Sequence, residues 1–516
     1  MFSRIRSAVC SGMEGREVFV ETDIARGLPG VSIVGMASTM IMESRDRIKS
    51  AIVNTGRDFP HGRITVNLTP ASLRKSGSCL DLPIAVGILA AGLEVDPSAA
   101  QKPGIIGELA LDGRLLRVNG ILPMIMKMKE NGSAEVIIPA ANADEACLVS
   151  GMKIYPVSDL TACIDLLNGK MAEPGVCYTA GSAAAFADTA YECGSVPDFS
   201  DIAGQENAKR AISIAAAGRH GLLMVGSPGC GKSMLAGRIP TVMPPMDRNE
   251  ILEAAMVLSV TGKDFKKDRN GRPLIMRPFR NPHHTIGRAG LVGGGNIPVP
   301  GEITLAHNGV LFLDEICEFD KAIIETLRIP MEERSITHFR KGEAYRFPCD
   351  FQLVMAANPC PCGFYGDPDH ACRCSQTQLE YYRRKLSGPI IDRVDMRISM
   401  EKVKFEELQN HEKGSSISSA DMRACVMTAL DFAKERGRSK YNALLDDHDI
   451  EDVCRLGRSE KLFMKQAYES LGMSPRSYKK TLKVARTIAD MDKSEDIHEQ
   501  HLAEALSYRT LERIND

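Results

Sequence analysis

The chain has 516 residues, 44% of them hydrophobic and 25% charged, and its formal net charge is −2. This is the composition of a globular protein of about two to four domains, and without a global basic field any nucleic-acid surface has to be local. The opening residues Met1-Phe2-Ser3-Arg4-Ile5-Arg6 lack a secretory pattern, and the longest apolar run, 82–93, is too short to span a bilayer. A cytoplasmic protein with no membrane contact is expected, so the 15 cysteines are expected as thiols rather than disulfides.

Residues 1–170 alternate short β-rich runs with helical ones. The pattern predicts strands at 64–68, 105–109 and 136–139, a buried helix at 82–93, and helices at 143–149 and 160–167. Together these predict an α/β or α+β domain with its own core. The order of these elements, and the stretch Gly107-Glu108-Leu109-Ala110-Leu111-Asp112-Gly113-Arg114, resemble the proteolytic domain of the Lon family, a ribosomal S5 domain 2-like fold. Lon uses a Ser–Lys pair. The resemblance puts Leu122 where the lysine would fall, and puts Cys79, with Ser78 beside it, near the place of the serine. A nucleophile needs an adjacent base, so a scaffold or oligomerisation domain lacking the catalytic dyad is expected rather than a protease.

Residues 171–195 are small and weakly patterned and read as a linker. A second domain, 196–400, opens with Asp198 to Gln205 and a helix at 206–217. The apolar strand 222–225 then runs into Gly226-Ser227-Pro228-Gly229-Cys230-Gly231-Lys232-Ser233, followed by a helical stretch. G-x-x-x-x-G-K-S between a strand and a helix is the pattern of a phosphate-binding loop. Its glycines let backbone N–H groups turn inward, Lys232 reaches the β- and γ-phosphates, and Ser233 offers a hydroxyl to Mg²⁺. The apolar run 310–313 ends in Asp314, a metal-holding carboxylate, and Glu315, which can polarise the attacking water. A third strand, 351–357, ends in Asn358, placed to sense the γ-phosphate. Arg393 follows a short apolar helix and is placed to reach a neighbouring subunit's γ-phosphate; a surface pair with Asp392 or Asp395 is the alternative.

In this order the four signals resemble AAA+ ATPases, an α/β fold with a parallel sheet and a C-terminal helical lid. The residues Asn281-Pro282-His283-His284-Thr285-Ile286, Gly293-Gly294-Gly295, the run from Pro300 to Glu315, and Asn358-Pro359-Cys360-Pro361-Cys362-Gly363 narrow the resemblance to the magnesium-chelatase-like branch and its YifB/ComM family. The resemblance implies a homo-hexamer that uses ATP and Mg²⁺ and acts on single-stranded or branched DNA in recombination or natural transformation. It counts Gly204 and Gln205 with the nucleotide-binding residues. It also makes the glycine-rich stretch 280–300 a pore insert, with His283, His284 and Arg288 as candidate DNA contacts. The alternation of 335–340 and 344–347 around Lys341-Gly342-Glu343 reads as a β-hairpin. Arg340 and Lys341 near its tip could hold phosphates or could be a solvated basic end.

Cys360, Cys362, Cys372 and Cys374 form C-x-C…C-x-C with nine residues between the pairs. Four thiolates suit a structural Zn²⁺; an iron–sulfur cluster and plain free cysteines fit the same spacing. Residues 401–516 read as a helical lid, with helices at 420–436 capped by Ser419, at 459–469, at 475–491 and at 498–511. Arg476 fits the second-sensor arginine of AAA+ lids, acting in its own subunit or in a neighbour. The expected function is an ATP-driven motor on DNA, with a protein-remodelling or metal-chelatase-like ATPase as the alternative.

Overall fold

In the computed structural model of the protein the described residues are 1–36, 39–73, 75, 77–170, 197–267, 273–340, 342–367, 369–386, 390–403, 417–437 and 441–509. The expected linker 171–195 and Lys341 lie outside them.

The chain opens with its two longest strands. β1 (Phe2–Ser11) and β2 (Glu14–Ala25) form an antiparallel hairpin. With β3 (Gly30–Val34), β4 (Arg63–Thr69), β5 (Gly104–Ile105), β6 (Glu135–Pro139) and β7 (Lys153–Val157) they build a mixed sheet in the order β3-β4-β2-β1-β5-β6-β7. Helix α1 (Thr39–Asn54) links β3 to β4, and α2 (Asp81–Ala91) follows β4. Every residue of α2 is buried. It can lie that close to the sheet because a Cβ at Gly87 would stand only 2.8 Å from Thr22 Oγ1, and the Ser3 hydroxyl donates to the Gly87 carbonyl at 2.7 Å. The strand expected at 105–109 splits in two. Gly107 donates to the Cys79 carbonyl, and a Cβ there would meet Leu82 and Leu115 at 3.0 Å, so the chain leaves the sheet for a small hairpin. The helix expected at 143–149 is a single turn, Ala143–Ala146.

Helix α3 (Ile121–Glu130) packs on β1 and β2. Helix α4 (Glu206–Gly218) then leads to β8 (Leu222–Gly226), and α5 (Lys232–Val242) follows the glycine-rich loop. After α6 (Arg248–Thr261) come β9 (Phe279–Arg280), β10 (Val310–Leu313), the hairpin β11 (Ser335–Arg340) and β12 (Glu343–Pro348), then β13 (Gln352–Ala357) and β14 (Met396–Met400). Five of these strands form an all-parallel sheet in the order β9-β10-β13-β8-β14. Its three central strands, β10, β13 and β8, are buried along their whole length because both faces are covered. Leu222, Met224, Phe312, Val354 and Ala356 face one core, which α4, α5 and the C-terminal helices α7 (Ser419–Glu435) and α8 (Pro475–Met491) complete. Leu223, Leu311, Leu313, Leu353 and Met355 face the other. The N-cap of α7 is Ser418, one residue before the expected Ser419, because the Ser419 hydroxyl accepts from Phe199 N–H at 2.9 Å and ties the helix to the start of the second domain.

Helix α6 belongs to both halves of the molecule. Ile251, Ala254 and Ala255 are buried in the N-terminal core. Ser259 caps α3: its carbonyl accepts from Gly120 N–H at 2.8 Å and its hydroxyl from Leu122 N–H at 3.2 Å, two of the donors a helix start leaves unpaired. The other side of α6 is anchored by Arg277, whose side chain is 1% exposed. It donates to Glu250 Oε2 at 2.9 Å and to the carbonyls of Pro244 at 2.6 Å and Asn308 at 2.7 Å.

Ile251→Ala is expected to cost about 2–5 kcal/mol through the cavity it leaves. Hydrogen exchange should show the loss in β1 and β2 as well as in α6. Protection in β1 and β2 equal to wild type would show that α6 does not support the N-terminal core.

Candidate active site

The site grows from the C-terminal end of the parallel sheet. β8 delivers Gly226, and two glycines then adopt backbone geometry that side chains resist, φ +81° at Gly229 and +92° at Gly231. A Cβ at either would meet nothing within 4 Å. The loop therefore presents backbone to an open space at the start of the 11-residue helix α5, an arrangement suited to phosphate oxygens. Gly226 is needed for packing instead, since a Cβ there would lie 2.7 Å from the Met400 carbonyl and 2.8 Å from Cys230 Sγ.

Lys232 Nζ lies 2.6 Å from the Gly226 carbonyl, 3.1 Å from that of Ser227 and 3.2 Å from Asn358 Oδ1. The lysine of the loop and the asparagine ending β13 thus meet over the same space. The Ser233 hydroxyl donates to Asp314 Oδ2 at 2.6 Å, which brings together two oxygens suited to Mg²⁺. Glu315 takes a left-handed conformation, φ +51°, at a cost of about 1–2 kcal/mol. That turn leaves its side chain 55% exposed, with Oε2 3.9 Å from His284 Nδ1. Gln205 Nε2 donates to the Cys230 carbonyl at 3.3 Å and to that of Glu401 at 2.6 Å, so it braces the loop from behind.

Both arginines lie elsewhere. β8 and β14 pair from Leu222 with Met396 to Gly226 with Met400, so Arg393 precedes β14 at the end opposite the loop. It is the last residue of a 3-10 turn, Ile391–Arg393, rather than following a longer helix. The Arg393 side chain is 6% exposed and pairs with Glu332 Oε1 at 2.8 Å, not with Asp392 or Asp395. Arg476 stands 3.8 Å from the same oxygen. The Arg393 guanidinium holds the Glu332 carboxyl below its ordinary value. Arg219, Arg334, Lys479 and Lys480 join the two arginines around a cleft of about 320 Å³.

His283 and Arg288 are exposed, and His284 turns toward Glu315 instead of outward. The insert and the hairpin come together: His338 on β11 lies 3.3 Å from the Val292 carbonyl. Arg340 is exposed at the hairpin end, while Phe347 at its base is fully buried in a cluster with Met13 and Val257. The Cys360, Cys362, Cys372 and Cys374 sulfurs lie within 4.8 Å of one another. In the N-terminal domain Leu122 is fully buried, and burial pushes the Cys79 thiol up to about 12. Sequence reasoning missed the contact of His284 with Glu315 and the role of Glu332. The sequence around Met331-Glu332-Glu333 carries no signal for the latter.

The sequence is similar to known proteins over nearly its whole length. The family described as magnesium chelatase, subunit ChlI, matches residues 198–408; a second description, subunit ChlI of Mg-chelatase, matches 20–142; and the ChlI C-terminal description matches 416–509. Competence protein ComM of Haemophilus influenzae is 40% identical over 511 residues, which cover 99% of this chain and 98% of that protein. The chain belongs to the YifB/ComM family. YifB of Salmonella typhimurium is 38% identical over 512 residues, 99% of this chain and 97% of YifB. Lon protease 2 of Bacillus subtilis is 28% identical over 186 residues, 32% of this chain and 33% of the protease. Membership of the YifB/ComM family, with its magnesium-chelatase-like AAA+ fold, implies ATPase activity with ATP and Mg²⁺. Among the described residues no helix is long and apolar enough to cross a membrane.

Glu315→Gln should bind ATP about as tightly as wild type yet hydrolyse it about 10²–10⁴-fold more slowly, the range for losing a positioned base. Single-turnover hydrolysis beside nucleotide binding checks this, and near-normal turnover would remove Glu315 from the chemistry.

Proposed function

We propose that the protein is an ATP-driven ring motor, a hexamer of this chain, that moves along DNA. In this reading Gly226 to Ser233 hold the phosphates, Ser233 and Asp314 hold Mg²⁺, Glu315 polarises water and Asn358 senses the γ-phosphate. The parts are a Lon-like scaffold at 1–170, a linker at 171–195, the ATPase core at 196–400 and the helical lid at 401–516.

The observation that carries the ring is the position of the two arginines. A five-residue strand separates the end of the sheet that bears them from the phosphate loop, a distance of about 17 Å. Neither arginine can reach its own subunit's nucleotide, so both Arg393 and Arg476 are assigned to a neighbour's γ-phosphate, with Glu332 holding them until it arrives. This supports the reading in which Arg476 acts in trans. DNA as the substrate is supported by two facts. The insert bearing His283 and Arg288 adjoins the hairpin bearing Arg340, and a relative aligned over nearly the whole chain is named a competence protein. The buried Leu122 and Cys79 support a Lon-like domain without proteolysis.

ATPase rate measured with no DNA, with single strands and with a four-way junction should rise with DNA, and the stimulation should fade with salt as phosphate contacts are screened. No stimulation in a preparation shown to form rings would favour protein remodelling or chelatase-like work. Arg393→Ala mixed with Lys232→Ala should recover turnover, because a junction between the two chains can still combine an intact loop with an intact arginine. Turnover that stays at the level of the separate variants at every mixing ratio would place Arg393 outside the neighbour's site.

A further inference from the structure

The cysteine cluster stands against the nucleotide site. Cys360 and Cys362 sulfurs are 3.3 Å apart, Cys360 and Cys372 3.7 Å, Cys362 and Cys372 3.6 Å. Four thiolates at 2.3 Å from one tetrahedral ion lie about 3.8 Å from each other. The spacing fits a single ion, whereas an iron–sulfur cluster spreads its cysteines over several irons. Backbone donors are already aimed at the sulfurs, Tyr365 N–H at Cys360 Sγ (3.3 Å) and Cys362 N–H at Cys374 Sγ (3.4 Å), as partners of ligating groups usually are.

The loop that the four cysteines would close leans on the phosphate loop. At Gly363, φ +85°, a Cβ would lie 2.7 Å from Pro228 Cδ, so only glycine allows this approach. Asp367 Oδ2 pairs with Lys402 Nζ at 2.9 Å, just beyond β14, with its carboxyl 1% exposed. Lys402 first, and the Ser227 side chain to a smaller degree, hold that carboxyl well below the usual carboxylate range. Asn358, which touches Lys232, is two residues before Cys360.

We propose that Cys360, Cys362, Cys372 and Cys374 bind one structural Zn²⁺, and that the loop it closes is a strut for the phosphate loop, so that binding nucleotide depends on holding the metal. This rests on the reading of residues 226–233 as the nucleotide site. The ion folds a polar, glycine-rich segment that buries little apolar surface by itself. Gly363 and Asp367 then pass that rigidity to Pro228 and Ser227.

The test uses the full chain. Elemental analysis of purified protein should find about one zinc per chain, lost in the double variant Cys372→Ser/Cys374→Ser. Protein stripped with a mercurial and a chelator, then reduced, should bind a fluorescent ATP analogue about tenfold more weakly and recover on addition of zinc alone. Asp367→Asn separates the strut from the ion: it should keep its zinc and still lose affinity. Absence of zinc, or iron in its place, would overturn the metal assignment. Wild-type affinity in both stripped protein and Asp367→Asn would overturn the strut. If zinc-loaded wild type binds the analogue no better than Lys232→Ala, the nucleotide reading fails, and the zinc count still decides the metal.

Discussion

Five parallel strands all point the same way, so each end of the sheet collects a different set of loops. The C-terminal ends of β8, β10 and β13 converge on one space, where Lys232 meets Asn358 and Ser233 meets Asp314. The opposite end collects Arg393 and Arg476 around Glu332. Within the chain, the cations at one end and the phosphate loop at the other are therefore held a strand's length apart. The carboxylate of Glu332 keeps two guanidinium groups from repelling each other in the cleft, which lets them stay preformed.

The N-terminal domain is coupled to that sheet by packing. Helix α6 starts with a capping box, Asp247 with Glu250, and Glu250 is also the carboxylate that neutralises buried Arg277. The same helix fills the N-terminal core with Ile251, Ala254 and Ala255 and caps α3 with Ser259. The hairpin adds a second seam, because Phe347 packs with Met13 and a Cβ at Gly12 would touch Tyr345 at 3.5 Å. A rotation of α6 or of the hairpin would therefore have to move the Lon-like domain or open a cavity in its core.

How much of this was legible depended on whether the signal was local. The strand 310–313 is read directly, since all four residues are buried and apolar. The phosphate loop is equally plain, because its glycines, lysine and serine are adjacent. β1 and β2 are not, although they are longer. Their inward positions include Ser3, Ser7 and Thr22, all buried, so the alternation carries hydroxyls where apolar residues would mark a strand. Helix α6 was hidden for a related reason: it is buried against two bodies, which blurs the single apolar stripe of a surface helix. In the site, Glu332 meets Arg393 across 61 residues of sequence, and His284 meets Glu315 only because two loops fold together. Pairs of this kind leave no spacing to read.

The backbone adds a last piece of reasoning. Positive φ occurs at three non-glycine residues that meet one residue, Asp350: Arg219, Asn308 and Arg334. Arg219 donates to Asp350 Oδ2 at 2.8 Å, Arg334 stands 3.6 Å from the same atom, and Asn308 N–H donates to the Asp350 carbonyl at 2.6 Å. Asp350 N–H in turn donates to His307 Nδ1 at 3.0 Å, and His307 and Asn308 both reach Glu253 on α6. Three strained residues in one polar network are held by hydrogen bonds, since charged side chains offer little apolar burial to offset the strain. The network begins at the arginine-lined cleft, where Arg219 and Arg334 are wall residues, and ends on the helix that supports the N-terminal core. Asp350 therefore links the cleft to that helix through residues that hold backbone strain.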